Sequence, residues 1–249
     1  MKLSGNTVFI TGGTSGIGRS LAEALHKRGN QVIISGRRKG HLAEVTKANP
    51  GMQSLELNVA DPASIAAVAK KLITEYPKLN VLINNAGIMQ MDDAAGAIDD
   101  SVLVSIVTTN LLGPIRMTSA LIGHLKKQPS ATVINVSSGL AFVPLASTAV
   151  YSATKAAIHS YTQSMRYKLK GSSVRVLELI PPWVQTDLLN SKDEPRAMPL
   201  AAFIEEAVTV LGTDAEEVLV ERVKMLRNNP GPNEFVFVAQ FNDMIASAH

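Results

Sequence analysis

A glycine-rich turn wedged between a strand and a helix sets the tightest limit on what this chain can fold into. NTVFIT (6–11) is short, apolar and β-branched, the composition of a strand covered on both faces. TGGTSGIG (11–18) follows at once, and GIGRSLAEALHKRG (16–29) then places apolar residues at helical spacing up to Gly29, a helix-ending glycine. The same rhythm repeats down the chain. Strands are expected at QVIIS (31–35), SLELNV (54–59), NVLIN (80–84), ATVINVSS (131–138) and SVRVLELI (173–180). Between them helices are expected over 41–49, from Pro62 to Tyr76, over 98–127 with a kink at Gly113-Pro114, and over 149–171. Strands separated by helices form parallel βαβ units. The expected fold class is therefore α/β, a single Rossmann-type doubly wound parallel sheet with helices on both faces. At 249 residues the chain suits one domain over 1–249, with 1–180 as core and 181–249 as a loop and helical C-terminal segment.

In such a sheet the ligand lies beyond the carboxyl ends of the strands. Gly12 permits a tight turn, Gly16 lets backbone approach a diphosphate, and Gly18 lets the helix pack close to the strand. Thr14 and Ser15 add hydroxyl donors beside the unpaired N–H groups that open the helix. The turn points to a dinucleotide, and the second strand says which. About 20 residues past the glycines, an NAD site carries an Asp or Glu for the ribose 2′-hydroxyl. Here that place reads Ser35-Gly36-Arg37-Arg38, with no acid between Glu23 and Glu44. A carboxylate would repel a 2′-phosphate, whereas an arginine fork pairs with one. NADP(H) is the expected cofactor, with Arg37 as first contact and Arg38 or Ser35 sharing. A solvated basic face is the alternative, most of all for Lys39.

YSATK places Lys155 four residues after Tyr151 on a helix, hence on the same face one turn on. An ammonium beside a phenol favours the phenolate and lowers the tyrosine pKa, and a tyrosine so tuned can exchange a proton with a carbonyl or alcohol oxygen. The pair follows Ser137-Ser138, which ends the fifth strand at the sheet edge where the dinucleotide should lie.

Taken in order, TGGTSGIG, NNAG (84–87), Asn110 in TTNLLGPI, Ser138 in NVSSG, and YSATK resemble the short-chain dehydrogenase/reductase superfamily over about residues 4 to 190. The resemblance implies that Ser138 bonds the substrate oxygen, Tyr151 is the acid/base, and Lys155 holds the nicotinamide ribose and tunes the tyrosine. It implies that Asn110 supports a water through which protons reach Lys155. It also brings Ile17, Val59, Asn85, Ala86, Gly87, Pro181, Val184 and Thr186 to the cofactor, besides Tyr151 and Lys155 themselves. Asn84 and Asn110 read alternatively as buried amides bonded to backbone, and Ser137 as a residue that only closes the strand.

Three departures stand out. Asn58 replaces the family's usual Asp, keeping an amide for adenine without the charge. Pro181-Pro182 replaces Pro-Gly, removing an N–H and stiffening the loop. The C-terminus lacks the glycine-rich closing strand of most members, and residues 199–227 read as two packing helices. With PPWVQTDL, this ending is similar to the oxidoreductase branch named for association with D-alanylation of teichoic acids. The proline-rich segment 181–198 reads as a lid or a plain surface loop. Ile88, Met89, Leu140, Trp183 and Leu188 would frame an apolar pocket suited to a hydrophobic or aromatic ketone; Met91 is a further candidate for its lining.

The function these readings support is an NADP(H)-dependent carbonyl reductase or alcohol dehydrogenase acting on a small molecule, with a non-catalytic NADP(H)-binding sensor as the alternative. Net charge of +3 and 4% aromatic residues argue against a nucleic-acid partner. No apolar run approaches the ~18 residues of a membrane span, and Val8–Ile10 is too short for a signal-peptide core. With no cysteine there is no disulfide framework, so the cytoplasm is expected. His26, His41, His124, His159 and His249 show no ligand spacing, so no metal is expected. The long helices 98–127 and 149–170 are candidate faces for a homodimer or homotetramer.

Overall fold

All six apolar runs become parallel strands in the computed structural model, which describes residues 1–246. They are β1 (Thr7–Thr11), β2 (Gln31–Gly36), β3 (Gln53–Glu56), β4 (Leu79–Asn84), β5 (Ala131–Val136) and β6 (Val174–Ile180). A seventh, β7 (Glu217–Leu219), completes a sheet of order β3-β2-β1-β4-β5-β6-β7. Successive side chains point to opposite faces, and β1 shows how this builds two cores. Val8 and Ile10 pack with Leu21, Leu25, Ile34 and Phe203, while Phe9 packs with Leu72, Leu82, Leu121 and Val133. Helices α1 (Gly16–His26), α2 (Lys39–Ala48) and α7 (Leu200–Leu211) cover the first face; α3 (Pro62–Glu75), α5 (Gly113–Leu125) and α6 (Ala149–Lys168) cover the second.

Two expectations need correcting. The long helix over 98–127 does not kink at Gly113-Pro114, because Gly113 keeps right-handed helical angles (φ −56, ψ −57). The strain is absorbed one turn earlier: α4 (Asp100–Val107) passes through a π-helical turn, Thr108–Leu112, into α5. Pro114 has no N–H to offer the carbonyl of Asn110 four residues back, and a widened turn accommodates that loss.

Residues 199–227 are not two packing helices, and the sheet does have a closing strand. After α7 the chain forms β7, whose Glu217, Val218 and Leu219 pair in parallel with Glu178, Leu179 and Ile180. Val218 and Val220 are fully buried there, which a helix over EEVLV would not allow. A short α8 (Lys224–Arg227) and a final α9 (Glu234–Ala246) follow, and α9 has no buried residue.

Two glycines separate space from backbone propensity. A Cβ on Gly18 would collide with the Gly12 carbonyl and the Asn85 amide, whereas one on Gly123 in α5 meets nothing within 4 Å. Gly18→Ala should lower stability by about 1–3 kcal/mol through overpacking. Gly123→Ala should raise it by roughly 0.5–1 kcal/mol as a plain helix substitution. Urea unfolding midpoints of the two variants check both signs.

Candidate active site

The turn after β1 is stitched to the end of β4. Thr11 Oγ1 accepts from the backbone N–H of Asn85 and of Ala86, both at 3.0 Å, and Asn85 Nδ2 donates to the carbonyls of Thr11 (3.0 Å) and Gly12 (3.1 Å). Asn85 therefore spends its amide shaping the turn. Gly12 and Gly16 sit at φ +69 and +52, a region costly for any residue with a Cβ, and a Cβ on Gly12 would stand 2.8 Å from Ala86 Cα. Ser15, Gly16 and Ile17 open α1; Ser15 is extended and makes no side-chain cap bond, and the first turn carries no acid. The Ile17 side chain packs on the core. Free donors at a helix N-terminus, without a competing carboxylate, are what a diphosphate requires. Thr186 stands opposite, its Cγ2 3.4 Å from where a Gly16 Cβ would be.

At the end of β2 the expected contacts divide. Ser35 is fully buried and its hydroxyl donates to the Ile10 carbonyl at 3.2 Å, so it ties β2 to β1 and does not share an anion with Arg37. Arg37 and Arg38 are exposed and make no ion pair among the described residues. Arg37 lines a cavity of about 500 Å³ with Glu56, Asn58, Asp61 and Ser64. Both acids there are engaged: Glu56 pairs with Lys39 at 3.1 Å, and Asp61 caps α3 by accepting from Ala63 N at 2.9 Å. Asn58 Oδ1 accepts from Ala60 N at 3.2 Å, which leaves its NH₂ for a ligand. Val59 follows, half-buried, and packs against Gly113. A glycine cradle, an open helix end and an unpaired arginine fit a dinucleotide phosphate.

Across the edge, Tyr151 and Lys155 come from the first turns of α6. The carboxylate of Asp92 fixes that helix start, accepting from Ala149 N (2.8 Å) and Val150 N (2.9 Å). Ser138, just past β5, accepts from Leu140 N at 3.1 Å and lies near enough to the Tyr151 hydroxyl to lower its pKa. Ser137 beside it is buried with its hydroxyl unpartnered. Lys155 Nζ donates to the Val136 carbonyl at 2.8 Å and stands 5.4 Å from the centre of the Tyr151 ring. Asn110, in the π turn, clasps Ile88 by accepting from its N–H and donating to its carbonyl, each at 2.8 Å. Its side chain is thus the backbone-bonded amide, and Gly87 lies between it and Lys155.

Burial governs the titrations here. It pushes the Tyr151 hydroxyl up to about 12, against a lowering by the Ser138 hydrogen bond. It pulls Lys155 down to about 8, against a raising by the carboxylate of Glu178. The loss of water around the phenol sets the direction of its shift, and the ammonium is directed at a backbone carbonyl.

The segment 181–198 is a braced strap. Pro181 is buried and its carbonyl accepts from Gly139 N at 2.9 Å. Val184 bridges to Met198, Met198 N donates to the Trp183 carbonyl at 2.8 Å, and Gln185 N to the Met198 carbonyl at 2.9 Å. Trp183 Nε1 donates to Ser191 Oγ at 2.7 Å, with the Arg196 guanidinium 5.1 Å over its ring. Trp183, Leu188 and Met91 are exposed, and Ile88, Met89 and Leu140 are half-buried, so any apolar pocket here opens to the surface.

Histidine spacing missed one group. Glu178 on β6, Glu217 on β7 and His159 on α6 bring their ligand atoms within 4.8 Å of one another. Arg227 already forks onto Glu217 at 2.7 and 2.9 Å, which supplies a cation. His249 lies outside the described residues.

The model of the short chain dehydrogenase family matches residues 6–197. The uncharacterized oxidoreductase DltE of Bacillus subtilis is 39% identical over 92% of this chain and 93% of its own length. The 3-oxoacyl-(acyl-carrier-protein) reductase FabG of Vibrio harveyi is 32% identical over 81% of this chain and 83% of its own. A short chain dehydrogenase from Burkholderia cenocepacia J2315, crystallised in complex with NADP, superposes with a TM-score of 0.85 at 27% identity, over 96% of this chain and 98% of that one.

The buried lysine leaves a signature on stability. Its folded value of about 8 lies below the ordinary 10.5, so across that window the unfolded chain holds the extra proton and stability rises with pH. Raising the pH from about 7 to about 10 should gain roughly 2–3 kcal/mol relative to Lys155→Met, which lacks the group. Urea unfolding of both proteins at the two pH values measures the difference; parallel pH dependences would contradict it.

Proposed function

The chain belongs to the short chain dehydrogenase family, and from that premise we propose an NADP(H)-dependent oxidoreductase that interconverts a ketone or aldehyde with the alcohol. The observation that carries the reading is the grouping of Ser138, Tyr151 and, one helical turn on, Lys155 at the sheet edge that also holds the glycine cradle. Arg37, without an ion pair among the described residues, supports the 2′-phosphate form of the cofactor, as does the NADP in the Burkholderia relative. The 3-oxoacyl group in the name of the Vibrio relative is a carbonyl substrate of the same kind.

Bound at this edge, the nicotinamide supplies or accepts the hydride. The protein's own groups manage the proton. Tyr151, held protonated by burial, is the acid that a carbonyl oxygen needs as alkoxide charge develops on it. Ser138 takes the Leu140 N–H on its lone pair, which leaves its own proton for that same oxygen. Lys155 stabilises the phenolate left on Tyr151. Asn110 holds Ile88 and Gly87 in place, and with Pro114 four residues on, its carbonyl has no ordinary helical partner and can hold a water. A raised tyrosine favours reduction over alcohol oxidation, which needs the same group as a base. Exposed Trp183 and Leu188 at the strap support an apolar ketone as substrate.

Tyr151→Phe tests the chemistry apart from binding. The expected result is a fall in kcat of about 10²–10⁴-fold, with NADPH affinity unchanged. Turnover surviving in the variant would remove Tyr151 from the mechanism. A wild-type protein that binds NADPH and reduces no carbonyl would favour the sensor reading.

A further inference from the structure

Glu178 takes no part in the chemistry above, yet it sits fully buried in β6 between the apolar Leu177 and Leu179. Its ladder partners are Asn135 on β5 and Glu217 on β7, and Asn135 in turn pairs with Asn84 on β4. A row of polar side chains thus crosses four strands on the face covered by α5 and α6. Asn84 bonds Thr118, Asn135 bonds Thr162 and Glu178 bonds His159. Glu178 Oε2 accepts from His159 Nδ1 at 2.8 Å, but Oε1 has no partner. A buried carboxyl with an unmet oxygen is costly, so something must offset it.

The charges facing it come from three elements. On β7 and α8, Glu217 and Arg227 neutralise each other through their fork. Arg166, further along α6, pairs with Glu216 at 3.2 Å. His159 lies between Glu178 at its Nδ1, 2.8 Å away, and Gln163 Nε2 at its Nε2, 2.7 Å away. A further cation acting on it is the ammonium of Lys155, one helical turn before His159 on the same helix. Lys155 Nζ reaches the Val136 carbonyl, next in the strand to the Asn135 that pairs with Glu178. The two charges act on each other: Glu178 raises Lys155 against its burial.

We propose that Glu178, bonded to His159, is the buried counter-charge that keeps Lys155 an ammonium, making the two a positioning pair for proton chemistry at Tyr151. The last clause rests on the oxidoreductase reading; the counter-charge itself does not. Glu178 is built into the sheet and Lys155 into the helix packed on it, whereas the strap and the glycine cradle lie at the sheet's edge.

The test follows Lys155 directly. The lysine ¹³Cε shifts of the cofactor-free full chain are titrated by NMR, with the Lys155 signal assigned by its absence from Lys155→Met. In Glu178→Gln the Lys155 midpoint should fall by about one pH unit or more, because a nearby negative charge is gone. Glu178→Asp should restore most of it. His159→Phe should lower it as well, since an unbonded buried carboxylate takes up a proton; if Glu178→Gln does not fold, this variant carries the test. A Lys155 midpoint unmoved in the folded variants overturns the proposal. The alkaline limb of the kcat/KM profile should move down with the NMR midpoint. A midpoint that moves in a protein without carbonyl turnover keeps the counter-charge and removes the oxidoreductase reading. Turnover with an unmoved midpoint does the reverse.

Discussion

Each ladder in the sheet is parallel, and a parallel ladder sends every chain exit to one edge. At that edge the exits of β1 and β4 come so close that Thr11 and Asn85 bond each other's backbone, and only glycine fits at positions 12 and 18. The same geometry opens the start of α1 toward the ligand side. It also sets Ser138, past β5, beside Tyr151 at the start of α6. The register of the strands does most of the gathering.

Burial then decides the chemistry of what is gathered. A phenol and an ammonium taken from water move in opposite directions, the phenol up and the ammonium down, so both lean toward their neutral forms. For the phenol that is the donor a carbonyl needs. For the ammonium it is a problem, met by a backbone carbonyl from β5 and a carboxylate from β6. The polar row across β4 to β7 is the structural cost of keeping one charge in the interior, and it lies at the level of the strands themselves. The strap, residues 181–198, carries none of it.

Much of this was legible in the chain. Six strands could be read because strands buried on both faces are continuous apolar runs, as VFI, VII and VLI show. The Tyr151–Lys155 spacing was legible because i, i+4 residues share a helix face. β7 was not, since three residues among DAEEVLVER carry the charge pattern of a helix and only pairing with β6 makes them a strand. The π turn escaped because Pro114 marks the missing hydrogen bond while the backbone yields one turn earlier. The place of Ser35 was not legible, because strand pairing, unseen in one sequence, turns its hydroxyl onto Ile10. The tyrosine's direction depends on burial, which spacing does not report. One signal for the buried pair was present and unread: a lone acid inside SVRVLELI, and a histidine one turn past Lys155.

The central claim is that Arg37 pairs with the 2′-phosphate of NADP(H). Titrating the protein with NADPH and, separately, with NADH, following nicotinamide or Trp183 fluorescence, tests it most directly. The account predicts NADPH binding at least about tenfold tighter, the ~1.4 kcal/mol expected of one charge-assisted phosphate contact. Equal affinities would contradict it and reduce Arg37 and Arg38 to a solvated face.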